Sequence, residues 1–238
     1  EKLAEMFDYI GSRIRIGNVV MAVSRGNLLL NLVATFIIVA GSVMVLSIFG
    51  AMAGYPLAKM RYAWFPIVLG FFYAGLTLPR MLALVPLYKM MISMKLLDHP
   101  LSLILIYGAS RMSITIVVFT TFYKAIPSDL EDAAEIDGLG RPGYFFRILL
   151  PMSGIPILTV FIVSGTFVYN DFLTPLLFMT NMGFTHIQVA LAQFVGAQTW
   201  FFGPIFAGVA IASIPMILIY LLMNRYFVIG VTAGAVKG

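Results

Sequence analysis

Cysteine is absent from all 238 residues, so the chain can form no disulfide, iron–sulfur cluster or thiolate zinc site. Charge is almost as scarce: Asp, Glu, Lys and Arg together make 11% of the sequence, and only ten residues are acidic. Histidine occurs twice, as His99 and His186, in separate loops with no ligand spacing, which leaves haem or metal binding without a ligand set. The fifteen basic residues are scattered rather than striped along one face, so the net charge of +5 requires no nucleic-acid partner. No internal repeat of the kind common in secondary transporters is visible.

Apolar residues fill the space that charge leaves. They make up 61% of the chain, and the mean hydropathy is +0.99, which places it in the membrane class. At roughly 20 apolar residues per crossing, the length suits about five or six spans. The apolar runs place five of them at about 27–57, 64–88, 101–123, 152–179 and 203–223. Residues 1–26 form a mixed, moderately amphipathic segment outside the spans, residues 27–225 a transmembrane domain, and residues 226–238 a short tail. Gly50 and Gly54 form a small-xxx-small pair that admits a close neighbouring backbone, and Lys59 and Arg61 follow as a basic patch. Basic residues divide almost evenly between the two sides, so they leave the orientation open.

Three charges fall inside expected spans: Arg80, Arg111 and Asp171. A charge at mid-bilayer costs about 2.5–3.5 kcal/mol on insertion scales, so each should face protein or water. At 1.5 Å rise per residue, Arg80 and Arg111 lie roughly 12 and 15 Å from the outer ends of their spans, and Asp171 at similar depth. Together they are expected to form one polar layer, either locking helices together or lining a pathway. Tyr169 and Asn170 adjoin Asp171 and are further pathway candidates. With Asp171 the sole carboxylate in a span and no histidine in one, an intramembrane enzyme has no paired-Asp, Ser/His or metal constellation to use.

The polar stretch 128–151, SDLEDAAEIDGLGRPGYFFRILLP, is different. It holds five of the ten acidic residues and lies between long apolar runs. Pro127 stops the preceding helix, and Ser128 with Glu131 three residues on has the capping-box pattern. Acidic residues in the first turn suit the positive end of the helix dipole. Leu130, Ala133 and Ala134 give a small apolar face, and Gly138 is placed to end the helix in the left-handed conformation. Pro142 then fits the first turn of a second short helix, which meets Pro151. Two short helices with a hinge, outside the membrane, offer a surface that a partner can close over.

Asp132-Ala133-Ala134, three residues, Gly138, nine residues, then Ile148-Leu149-Leu150-Pro151 reproduce in every spacing the EAA motif. On these positions the chain resembles the permease subunits of binding-protein-dependent ABC importers. Asp132 departs from the usual Glu and is one methylene shorter. The resemblance covers about residues 26–238. Asn27-Leu28-Leu29-Leu30-Asn31 is similar to the start of a family span, and Gly50 to Lys59 (GAMAGYPLAK) to an "A-x-Y-x-L-A-R" helix end. Tyr169-Asn170-Asp171-Phe172 resembles "W-N-D-F", and Gly234-Ala235-Val236-Lys237-Gly238 the "G-x-V-K-G" tail of the carbohydrate, maltose-type branch.

What the resemblance implies is an all-α, polytopic helical bundle of the type I importer permease class, in a bacterial cytoplasmic (inner) membrane. Such permeases usually have six spans against five here, so the first family span is expected to be missing and residues 1–26 to be extracytoplasmic. It implies a second, homologous permease, two ABC ATPase subunits, an extracytoplasmic substrate-binding protein and a sugar or oligosaccharide substrate. ATP and magnesium would be bound by the ATPases, with no cofactor and no catalysis in this chain. Glu131, Asp132, Ala133, Ala134, Asp137, Gly138, Ile148, Leu150 and Pro151 would couple to the ATPases. Gly234, Val236, Lys237 and Gly238, on a cytoplasmic C-terminus, would make a second ATPase contact. The loop 180–202 would either face the binding protein or be a plain surface loop. A permease for a non-sugar solute, and a self-contained secondary transporter, are the alternatives.

Overall fold

The computed structural model describes residues 16–25, 27–179, 183, 185–193 and 202–235. Among these every regular element is helical. The α-helices in chain order are α1 (Ile16–Arg25), α2 (Leu28–Lys59), α3 (Phe65–Gly75), α4 (Leu84–Ser93), α5 (Pro100–Ser110), α6 (Met112–Ala125), α7 (Asp129–Ile136), α8 (Arg141–Tyr144), α9 (Gly154–Val160), α10 (Thr166–Asn170), α11 (Leu173–Phe178), α12 (Ile187–Ala192) and α13 (Phe202–Ala235). Among the described residues three helical stretches are long and apolar enough to cross a membrane unbroken: Leu28–Lys59, Pro151–Asn170 and Gly203–Leu222. Two bent pairs bring the number of crossings to five when each pair is one span.

The second and third expected spans are each bent. Between Phe65–Gly75 and Arg80–Ser93 the axis turns by 92°. Pro79 lacks an amide hydrogen and drives Leu78 out of the helical region, so a helix ends ahead of it. Between Pro100–Ser110 and Met112–Ala125 the turn is 54°. No proline sits there; the break falls on Arg111, whose backbone lies at φ −102°, ψ 2°. The fourth span also ends earlier than its apolar run. Its helical path stops at Asn170, and α11 follows after Asp171-Phe172. Thr174 Oγ1 donates to Asp171 Oδ2 at 2.5 Å, a local bond that competes with a continuing ladder. The last helix, by contrast, runs on to Ala235, past the expected end of its span near residue 223.

The chain divides into two units, one of residues 1–39, 88–103 and 167–222, the other of 40–87, 104–166 and 223–238. In the first, the start of α2 receives the segment ahead of α12. Asn31 Oδ1 accepts from the Thr185 amide at 2.7 Å, and Thr35 Oγ1 from the Ile187 amide at 2.8 Å. Buried Leu28, Ile38, Met91, Phe178 and Ile187 contribute to its core. In the second unit, α2 lies hard against α5 and α6. A methyl group added at Gly54 would stand 2.7 Å from Phe119 Cβ and 3.1 Å from the Thr120 amide nitrogen. Only a residue without a side chain lets the two backbones come this close. Tyr123 and Ser153 share a buried hydrogen bond of 2.8 Å that ties α6 to the start of the fourth span.

Candidate functional site

The helix α7 begins without the expected capping box. Ser128 is itself helical, at φ −66°, ψ −28°, and its side chain makes no capping bond. Its carbonyl instead accepts from the Glu131 and Asp132 amides at 2.8 and 3.0 Å. Glu131 is thereby released from the cap and turns inward, where Tyr55 Oη donates to its Oε1 at 3.2 Å. The C-terminus closes as a Schellman motif. Gly138 adopts φ +80°, its amide donates to Glu135 O at 3.0 Å, and the Leu139 amide reaches Ala134 O at 2.8 Å.

This geometry sorts the residues of the motif by face. Asp132, Ala133, Glu135, Ile136 and Asp137 are exposed, Ala134 is buried and Glu131 is half-buried. Ile136 is 87% exposed, a large apolar side chain standing among carboxylates. After α7 the chain turns at Gly140, and Pro142 occupies the first turn of α8. The second helix then departs from the simple form expected. Residues Phe145–Leu149 form a π turn, with the Leu150 amide donating to Phe145 O at 2.8 Å. The extra residue falls just ahead of Pro151, which cannot donate to the ladder. Ile148 and Leu150 are half-buried and flank the fully buried Leu149, while Pro151 is exposed and opens the next span. Tyr144 is buried beside Glu131, and burial first, then that carboxylate, push its phenol pKa up.

Arg80 opens a 3-10 turn directly after the 92° break, and Arg111 stands at the 54° break. Both are half-buried, they lie near enough to act on each other electrostatically, and Arg111 Nη2 reaches the Val163 carbonyl at 3.5 Å. Arg80 and Arg111 belong to one unit and Asp171 to the other. All three nevertheless share a feature the sequence pattern concealed: each sits where a helix breaks rather than within one.

Tyr169 is buried and donates to Ala212 O at 2.6 Å, so its hydroxyl is engaged with α13. Asn170 is exposed and, with Tyr169, Gln188, Leu191, Ser213 and Met216, lines a pocket of about 420 Å³. Gln188, not singled out in the sequence, is fixed there by its Nε2 bond to Tyr169 O at 3.3 Å. Asp171 is buried near His186, which is wholly buried. His186 Nδ1 caps α12 by accepting from the Gln188 amide at 3.4 Å. Burial pulls the His186 pKa down to about 4, against the opposing pull of Asp171 and the Val168 backbone. Only fold-distant contacts reveal Asn31, Thr35, His186 and Gln188 as supports of this region; no sequence spacing links them. Of the C-terminal residues, Gly234 falls in the last turns of α13, while Val236, Lys237 and Gly238 lie outside the described residues, as do most of residues 180–202 and residues 1–15.

Helical spans broken at charged residues, with an acidic helix standing between two of them, describe a multi-span membrane protein. The chain belongs to the family of binding-protein-dependent transport system inner membrane components, whose model matches residues 19–232. It is 36% identical to the probable ABC transporter permease protein YurM of Bacillus subtilis (strain 168), over 85% of this chain and 68% of that protein. Identity to the melibiose/raffinose/stachyose import permease protein MelC of the same organism is 32%, over 90% and 77% of the two chains. The arabinooligosaccharides transport system permease protein AraQ of Halalkalibacterium halodurans is 31% identical over 82% and 70%. In fold the chain resembles a crystal structure of a bacterial ABC transporter involved in the import of the acidic polysaccharide alginate, with a TM-score of 0.73 at 16% identity, covering 87% of this chain and 79% of that one.

Proposed function

We propose that this chain forms, with a second permease, the membrane pathway of an ATP-driven importer for a sugar or oligosaccharide, and that α7 is the element by which ATPase subunits move it. The observation that carries the coupling role is the outward face of α7. Asp132, Ala133 and Ile136 stand exposed on a helix whose far end is locked by Gly138, an acidic and apolar surface with small neighbours that a cleft can enclose. Such a face suits the cytoplasmic side, where ATP is found, and the C-terminus with it. A substrate-binding protein would deliver the ligand on the opposite side. The sugar assignment rests on the relatives named for import of melibiose and of arabinooligosaccharides. In this chain, Asn170 and Gln188 supply amide groups suited to sugar hydroxyls in the pocket beside α13, and Arg80 and Arg111 supply cationic donors at their breaks.

The test is purification from native membranes in mild detergent, wild type beside Gly138→Pro. Proline cannot adopt φ +80° and has no amide to donate to Glu135, so the Schellman motif is lost. Wild type is expected to bring down ATPase subunits and a second permease, and the variant to lose the ATPase or its stimulation by transport. A wild-type chain that purifies without any ATPase overturns the reading in favour of a self-contained carrier. Arg80→Ala is expected to alter uptake while the complex still assembles; failure of assembly would make Arg80 structural.

A further inference from the structure

Tyr55 and Lys59 lie four residues apart, on one face of the last turns of α2. Both reach the segment that carries α7. Lys59 Nζ donates to the Ile126 carbonyl at 2.5 Å, just ahead of α7, and Tyr55 Oη donates to Glu131 within it. Behind α7 the same tyrosine ring packs on Tyr144 and Phe145, at centroid distances of 6.0 and 5.6 Å. Thus α7 is held on both flanks by one turn of α2. That turn cannot slip against α6, because Gly54 seats α2 directly on the backbone of Phe119 and Thr120.

A second observation concerns Tyr144. Its hydroxyl is buried and has no hydrogen-bond partner in this arrangement. An unmet buried hydroxyl costs free energy and calls for a reason. The nearby acceptor is Glu131, whose charge Tyr144 feels. Glu131 is only half-buried and is bonded here to the other tyrosine.

We propose that Tyr55, Lys59 and Tyr144 form a latch that carries movement of α7 into α2, with Glu131 passing from the Tyr55 hydroxyl to the Tyr144 hydroxyl as α7 shifts. The inference rests on the importer reading and deepens it. Glu131 becomes a positioning residue facing its own chain, and Asp132 is left as the outward carboxylate for the ATPase. No covalent step is involved: each arrangement satisfies one phenol with the same carboxylate, so the exchange needs little net energy and the position of α7 chooses between them.

The complete importer, reconstituted in lipid vesicles, tests this with Tyr55→Phe, Tyr144→Phe, the double variant and Lys59→Met. ATP hydrolysis and uptake are measured on the same vesicles. Both phenylalanine variants keep their rings and therefore their packing. The expected result is near-normal hydrolysis with uptake per ATP lowered about threefold or more, the scale of one net hydrogen bond. The double variant should be little worse than the weaker single, since both hydroxyls serve one carboxylate. Unchanged uptake per ATP in both singles overturns the latch, as does a proportional fall of hydrolysis and uptake. If Tyr55→Phe does not assemble, Tyr144→Phe carries the test, because its hydroxyl has no bond here to lose, and Lys59→Met checks the second anchor. A wild-type chain that recruits no ATPase overturns the importer reading and the latch together.

Discussion

A methyl group at residue 54 has nowhere to go. The nearest atoms are Phe119 Cβ at 2.7 Å and the backbone of Phe119 and Thr120 at 3.2 and 3.1 Å, and backbone cannot swing aside. Gly54→Ala should therefore cost about 1–3 kcal/mol, the usual penalty of overpacking, and lower the thermal midpoint of the detergent-solubilised protein. At Gly208 the first obstacle is instead Leu191 Cδ2, the far end of a flexible side chain, so Gly208→Ala should cost less. His186 gives a pH dependence. Its folded pKa of about 4 lies below the ordinary histidine value of 6.5, because burial favours the neutral ring. The stability linked to it is complete above pH 6.5 and is lost as pH falls from there through about 4. The loss is bounded at about 3 kcal/mol, at 1.36 kcal/mol per pKa unit. His186→Asn keeps a capping oxygen for the Gln188 amide and removes the titration, so its unfolding midpoint should vary less between pH 7 and 4.5 than that of the wild type. A variant with an unchanged pH profile would show that other groups dominate acid unfolding.

At the scale of elements, the devices that matter are those that interrupt helices. Gly138 ends α7 at φ +80°, a conformation that strains any residue with a side chain by about 1–3 kcal/mol. Gly138→Ala should leave α2 and α6 intact but loosen the end of α7, seen as faster exchange of the amides at positions 138 and 139, the two donors of the Schellman motif. Faster exchange throughout the chain would instead mean global destabilisation. The signals for α7 itself are readable in the sequence: the acidic first turn, the alanines, the glycine. The orientation of Glu131 is not. The capping-box pattern sends it back to the Ser128 amide, but Ser128 is helical and makes no side-chain capping bond, while Tyr55, 76 residues away in sequence, offers Glu131 a hydroxyl. A local pattern lost to a long-range partner. The π turn at Phe145–Leu149 was hidden for a similar reason, since Pro151 announces a missing donor and not how the preceding turn will accommodate it.

At the scale of the molecule, the spans present α7 as the surface proposed for coupling. Reversing its exposed charge with Asp132→Lys should weaken association with the ATPase by about tenfold, the scale expected when an attraction between charges becomes a repulsion, without lowering the thermal stability of the permease alone. Retained affinity would remove Asp132 from the docking face. The wide exposure of Ile67, Phe71 and Leu82, at 74–75%, suits contact with lipid chains in the second unit.

Composition and periodicity by themselves determined that this is a helical membrane protein of about five crossings, because an apolar run of about twenty residues spans lipid only as a helix that satisfies its own backbone groups. The resemblance to the permease family was legible at the same level, since Asp132, Gly138 and Pro151 mark one helix, one left-handed turn and the start of the next span, all local events. Tertiary structure alone decided that Arg80, Arg111 and Asp171 stand at breaks, that Tyr55 takes Glu131, and that Asn31 and Thr35 hold the segment carrying Gln188. Those outcomes depend on which polar group meets which backbone across the bundle. An apolar run shows that a segment is buried and says nothing of what it is buried against.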